Sequence, residues 1–235
     1  MPFLTAEWRK LILVNYEVPP SALEKHLPFG TELDLWHGRC YVSVVGFLFV
    51  NTRIMGIKIP YHTTFEEVNL RFYVKRKVGD NWKRGVVFIK EIVPKPAITI
   101  VANSVYKENY QTWPMKHIWQ EESVFSSFEY RWRIAAGWQF IKVIAKKEPT
   151  IIEEESEAEF ITEHYWGYAK VSENKTNEYE VTHPRWLQYE IVDFSSHIDF
   201  KANYGLDFTF LNHQKPISVL LAEGSPITVA NKKTL

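Results

Sequence analysis

The sequence lacks most of the features that assign a protein to a function class. It holds one cysteine in 235 residues, which excludes an intramolecular disulfide and fits a reducing compartment. That residue, Cys40, lies in the run Cys40-Tyr41-Val42-Ser43-Val44-Val45, where a small buried apolar role is expected rather than a nucleophile. Net charge is also missing: 28 Lys and Arg balance 28 Asp and Glu, so no electrostatic argument favours nucleic acid or an anionic membrane. No long hydrophobic run occurs, since the uncharged stretch Cys40 to Val50 falls well short of the ~20 residues that span a bilayer. Charges at Glu7, Arg9 and Lys10 stand where a secretory leader needs its apolar stretch. A soluble, cytoplasmic protein without nucleic-acid or membrane partners is the expectation. HExxH, CxxC, GxSxG, GxGxxG and P-loop patterns are absent, and the 8 histidines show no metal-ligand spacing, so no cofactor or metal is expected.

What the chain does have is aromatic and β-branched residues along its whole length, with aromatics at 15%. Strands are predicted over 8–18, 31–36, 39–50, 68–78, 82–93, 126–135, 138–145, 165–172, 178–183 and 186–194, with Gly79-Asp80-Asn81 as a hairpin turn. Short helices are predicted over 19–27, where proline opens and Pro28 and Gly30 close the segment, over 96–107, and over 157–164. The charged stretch from Lys146 to Glu157 reads as a solvated loop entering the third helix, and Ala230 to Leu235 as a loose tail. The pattern is that of one β-rich α+β domain over residues 1–235, built on a barrel-like or strongly curved antiparallel sheet.

The segment from Phe65 to Met115 is the most specific. Period-two geometry puts Glu67, Asn69, Arg71 and Tyr73 on one strand face and Val68, Leu70, Phe72 and Val74 on the other. If the polar face looks at water, Glu67 and Arg71 form an ordinary surface pair of ~0 to 1 kcal/mol. If it lines a cavity, a carboxylate and a guanidinium there can hold a small oxygen-rich ligand. Glu91, near the end of the hairpin's second strand, is placed to face the same interior. Two neighbouring carboxyls would raise one pKa and suit proton transfer.

Five motifs in order, Leu4-Thr5-Ala6-Glu7-Trp8-Arg9, Phe65-Glu66-Glu67-Val68-Asn69-Leu70-Arg71, Arg84-Gly85-Val86-Val87-Phe88, Tyr106-Lys107-Glu108-Asn109-Tyr110 and His183-Pro184-Arg185-Trp186, resemble the YqjF-like family of uncharacterised bacterial proteins. That family is remotely similar to acetoacetate decarboxylase. The resemblance implies a cone-shaped, mostly antiparallel β-barrel with a few flanking helices and an internal pocket. In that enzyme one lysine forms a Schiff base while a second lowers its pKa. The resemblance places Tyr110 and Gln111 where the lysine pair would stand, so Schiff-base decarboxylation is not expected. It matches Glu67-Val68 to the pair that carries an active-site glutamate.

Three readings follow. The first is a small-molecule-binding barrel with Glu67, Asn69, Arg71, Glu91 and Tyr110 lining the pocket. The second is an acid/base enzyme acting on a carbonyl or phenolic compound, with Glu67 as base and Arg71 or Tyr110 stabilising negative charge. The third is a non-catalytic scaffold for homo-oligomerisation or partner binding, in which Trp113, Trp119, Trp132 and Trp138 supply contact surface. Lys107, one helical turn before Tyr110, reads as half of a surface pair with Glu108 rather than a displaced amine. His183 is expected to bond a carbonyl at a strand junction.

Overall fold

In the computed structural model, which describes residues 2–235, the β-branched and aromatic runs form strands. They are β1 (Leu4–Glu17), β2 (Glu32–Leu33), β3 (Tyr41–Ile54), β4 (Phe65–Val78), β5 (Asn81–Val93), β6 (Tyr110–Thr112), β7 (Met115–Glu121), β8 (Phe125–Ile134), β9 (Gly137–Ile151), β10 (Trp166–Ser172), β11 (Lys175–Thr182), β12 (Leu187–His197), β13 (Ser218–Val229) and β14 (Lys233–Thr234). Three short α-helices interrupt them: α1 (Pro96–Val101), α2 (Glu157–Thr162) and α3 (Phe200–Tyr204).

The sheet closes on itself. The order β11-β10-β5-β4-β3-β1-β13 returns to β11 through the pairs Val181↔Val229 and Thr182↔Thr228. From β13 the sheet also runs outward through β12, β9, β8 and β7. Pairing is antiparallel among the described strands except for β10 with β5 and β5 with β6, which are parallel. This strand-rich architecture with few helices is the expected fold class.

Strand β4 divides two apolar regions. Its Val68, Leu70, Phe72 and Val74 pack with Ile12, Val14, Val42, Val44, Tyr130, Trp132 and Ile141. Phe65 and Tyr73, on the opposite face, pack with Val45, Phe47, Phe49, Ile161 and Trp186. Both faces are therefore out of water, so the alternating polar residues are carried into the interior rather than onto a wet surface. Tyr73 is held there by its hydroxyl, 2.7 Å from Ser43 Oγ, which in turn donates to Asn15 Oδ1 at 2.6 Å.

Several expectations are corrected. Residues 19–27 form two single 3₁₀ turns, Pro20–Ala22 and Glu24–His26. Two adjacent prolines remove two donors and only Leu23 is buried, so no apolar stripe supports a longer helix. Strand β2 stops at Leu33, because Asp34 turns its side chain inward to Arg84 and His164. The 96–107 helix ends at Val101 and continues as a wide π turn over Ala102–Tyr106, closed by Lys107 in the left-handed region at φ 64°. Strand β9 runs through Lys146 and Lys147 to Ile151, so only 152–156 is loop; Ser156 then caps α2 by accepting from the Glu159 N–H at 3.1 Å. The tail is not loose, since β14 pairs with Asn177 and Glu178 and the Thr234 hydroxyl donates to Asn177 Oδ1 at 2.7 Å. Trp132 is fully buried, its indole N–H donating to Asn203 Oδ1 at 2.6 Å, and supplies no contact surface. Sequence patterning missed β6, β7, β13 and α3.

Candidate functional site

The closed part of the sheet encloses a cavity of about 120 Å³. Roughly 10–15 Å³ suffices for one water on the same measure, so the space admits a small organic molecule. Its floor comes from β4 and β5, its roof from α1 and the π turn through Ile98, Val101 and Tyr106, and its far wall from Thr162, His164 and β11. The wall is largely aromatic, with Trp8, Phe47, Phe49, Phe65, Phe88 and Trp186 all facing in.

All five sequence-predicted residues, Glu67, Asn69, Arg71, Glu91 and Tyr110, line this one cavity. Cross-strand register explains how: Asn69 pairs with Glu91, and Glu91 with Tyr110. A register shift between Leu70 and Arg71 leaves Ile89 unpaired, so Arg71 faces Phe88 and Tyr73 faces Val86. The shift puts Val86, Phe88 and Glu91 on the cavity face together, which strict alternation would not do.

Glu67 is the centre of the polar cluster. Its Oε1 accepts from Asn69 Nδ2 at 2.9 Å and its Oε2 from the Tyr110 hydroxyl at 3.1 Å. Burial raises its pKa to about 7, against the lowering effect of Asn69, Tyr110 and the Arg71 charge. Glu91, fully enclosed, is pushed well above the usual carboxylate range by burial and then by Glu108 and Glu67. Glu108 is raised to about 7 by burial and by Glu67, and accepts from the Tyr179 hydroxyl at 2.6 Å. Three carboxyl groups and two phenols thus share one largely buried region, in which desolvation favours the protonated acids.

Glu108 and Tyr179 were not among the predicted site residues. The surface pair expected of Lys107-Glu108 separates: the left-handed turn at Lys107 leaves its side chain exposed and directs Glu108 into the cavity. No lysine lines the cavity among the described residues. His183 bonds the Pro184 carbonyl oxygen through Nδ1 at 2.9 Å, as expected, and stacks on Trp186 with ring centroids 4.3 Å apart.

At the other end, Arg71 lies on the Tyr73 ring, 5.5 Å from its centroid, and donates through one terminal nitrogen to the Ile161 carbonyl at 3.2 Å. It has no carboxylate ion-pair partner among the described residues, and its Nε is buried without a hydrogen bond. Asn69 Oδ1 and Glu91 Oε2 are likewise unpartnered. Clusters with the makings of a metal site are absent among the described residues. Among the described residues, no helix is long and apolar enough to cross a membrane.

Solved structures with this architecture include acetoacetate decarboxylase from Legionella pneumophila (TM-score 0.67, 13% identity, covering 100% of this chain and 87% of that one). The enduracididine biosynthesis enzyme MppR complexed with pyruvate also shares it (TM-score 0.66, 12% identity, 100% and 91% covered). At these identities the likeness is one of fold. Among curated proteins, the uncharacterized protein YqjF of Bacillus subtilis (strain 168) is 32% identical over 71 residues, which span 30% of this chain and 29% of that protein. The match to this relative therefore covers less than a third of its length. With the family profile matching residues 5–226, the chain belongs to the DUF2071 family, described as "Uncharacterized conserved protein (COG2071)".

Proposed function

We propose that the protein binds a small organic carboxylate inside the cavity. The observation that carries this reading is Arg71: a buried guanidinium that donates to the Ile161 carbonyl, leaves its Nε without a hydrogen bond and has no carboxylate ion-pair partner among the described residues. A buried cation without a paired carboxylate is costly, and a planar carboxylate is the group whose geometry matches its fork. The aromatic wall suits an apolar body, and the protonated acids around Glu67 offer both donors and acceptors to a carbonyl or hydroxyl oxygen at the far end. The MppR structure of the same fold holds pyruvate, and this reading carries that ligand class, small carboxylates, to this chain. Titration calorimetry with pyruvate, acetoacetate and phenylacetate tests it. At least one binds the wild type and loses tenfold or more in affinity in Arg71→Met; binding of none, or equal affinity in the variant, rejects it.

A second reading is favoured by the Glu67 pKa of about 7: acid/base chemistry on a carbonyl compound, with Glu67 exchanging the proton. Its test is turnover of a carbonyl panel. Equal rates for wild type and Glu67→Gln reject the role.

A further inference from the structure

His164 lines the cavity wall and is paired outside the glutamate cluster. His164 follows α2, and its side chain is 1% exposed. Its Nε2 is 3.1 Å from Asp34 Oδ2, the same oxygen that accepts from Arg84 Nε at 2.6 Å. The two residues are 130 positions apart. Asp34 is kept ionised, because His164 and Arg84 outweigh the effect of its burial. An ionised carboxylate only accepts, so the shared hydrogen sits on Nε2 of the imidazole. The ring is neutral, since burial drives its pKa down to about 4. Nδ1 is therefore a bare lone pair, buried and without a partner, on a residue that lines the cavity. A buried acceptor left unmatched loses its water partner and gains nothing in exchange, so the site as built calls for a donor.

Arg71 is its neighbour. Both side chains lie against Tyr73, the His164 ring 4.8 Å and the guanidinium carbon 5.5 Å from its centroid. This end of the cavity thus carries a cation whose Nε lacks a partner, Arg71, and a neutral ring whose Nδ1 lacks a donor, His164. The donor it accepts from is uncharged, because an ammonium would sit against Arg71 in a medium that screens little.

We propose that His164 Nδ1 accepts a hydrogen bond from a hydroxyl of the bound molecule while Asp34 fixes the imidazole tautomer, so that the cavity selects hydroxy acids over the matching acids without the hydroxyl. The inference rests on the carboxylate reading of Arg71 and names its substrate class. His164 is then a specificity residue and Asp34 a positioning residue. A site built to pair with a hydroxyl discriminates strongly against an analogue that lacks one, since the protein acceptor is otherwise stranded.

The probes are mandelate and phenylacetate, which differ by one hydroxyl and carry a ring suited to the aromatic wall. The better-bound enantiomer of mandelate binds the wild type about tenfold more tightly than phenylacetate, and His164→Phe binds both alike. In wild-type protein with ¹⁵N-labelled imidazoles, mandelate shifts the His164 Nδ1 resonance upfield and phenylacetate does not, a readout that requires no variant to fold. Phenylacetate binding without a mandelate preference, a preference that survives in His164→Phe, or an unmoved Nδ1 resonance overturns the role of His164 and leaves the carboxylate reading standing. Binding of neither probe by the wild type overturns the hydroxy-acid class itself, while pyruvate or acetoacetate binding lost in Arg71→Met still supports the carboxylate reading.

Discussion

The Tyr110 hydroxyl donates to Glu67 Oε2 at 3.1 Å, joining β6 to β4 across the width of β5. The bond stabilises the ionised form of a carboxyl that burial pushes toward the neutral one. Removing it with Tyr110→Phe should raise the Glu67 midpoint above its value of about 7. Infrared titration of the carboxyl band, with Glu67→Gln to assign it, measures the change; a midpoint that falls or stays fixed contradicts the geometry.

Glu67 also predicts a pH dependence of stability. Its pKa rises from 4.5 to about 7 on folding, so the native state holds a proton that the unfolded chain has released. The contribution is fully present below about pH 4.5 and is lost as pH rises through 7. His164 acts in the opposite sense: its pKa falls from 6.5 to about 4, so its contribution is lost as pH falls through that window. The wild type alone mixes these with the raised Glu91 and Glu108, so each is read as a difference between variant and wild type. Between pH 4.5 and 7.5 the stability of Glu67→Gln should rise relative to wild type by on the order of 3 kcal/mol. His164→Phe should gain relative to wild type as pH falls from 7 to 4. Denaturant unfolding at a series of pH values reads both.

Glu67, Asn69 and Arg71 were legible in the sequence because the cause is local: alternation puts them on one face, and the apolar content of the other face requires burial there. Alternation alone does not say whether the polar face is wet. That depends on the ring closing through β11 and β13, a contact between Val181 and Val229 with no local signature. Glu108 was lost for a different reason. Its direction is set by the left-handed backbone of Lys107, and a lysine carries no signal for that conformation comparable to glycine's. Asp34 and His164 meet only through folding, so neither residue's neighbours in sequence announce the pair.

The support under Glu108 can be removed without touching either carboxyl or phenol. A Cβ on Gly167 would lie 2.1 Å from Tyr179 Cζ and 2.5 Å from its hydroxyl oxygen. Gly167→Ala should displace the ring, destabilise the protein by about 1–3 kcal/mol and raise the Glu108 pKa further, since the Tyr179 hydrogen bond lowers it. Unfolding curves and the carboxyl titration check the two effects; wild-type values for both would show that Tyr179 is not anchored as described.

Asn203 accepts from the Trp132 indole at 2.6 Å and donates to the Asp199 carbonyl at 2.7 Å. Asn203→Leu strands the buried indole N–H and should cost about 1–3 kcal/mol. Chemical denaturation measures it, and an unchanged midpoint would count against the buried bond.

No lysine faces the cavity among the described residues. Borohydride reduction in the presence of pyruvate should therefore leave the protein's mass unchanged at the cavity peptides, with a mass-spectrometric adduct on any of them counting against the arrangement.

The unpaired Ile89 in β5 makes strand register, as well as residue identity, part of the site. Were β5 to run without the shift at the same length, Glu91 would turn to the opposite face, leaving every acidic residue in the sequence while removing one from the cavity. Two relatives of this chain could then share all their glutamates and differ in how many of them meet a ligand. Whether the residue at the Glu91 position sits opposite the one at the Asn69 position is the quantity by which such relatives should be sorted.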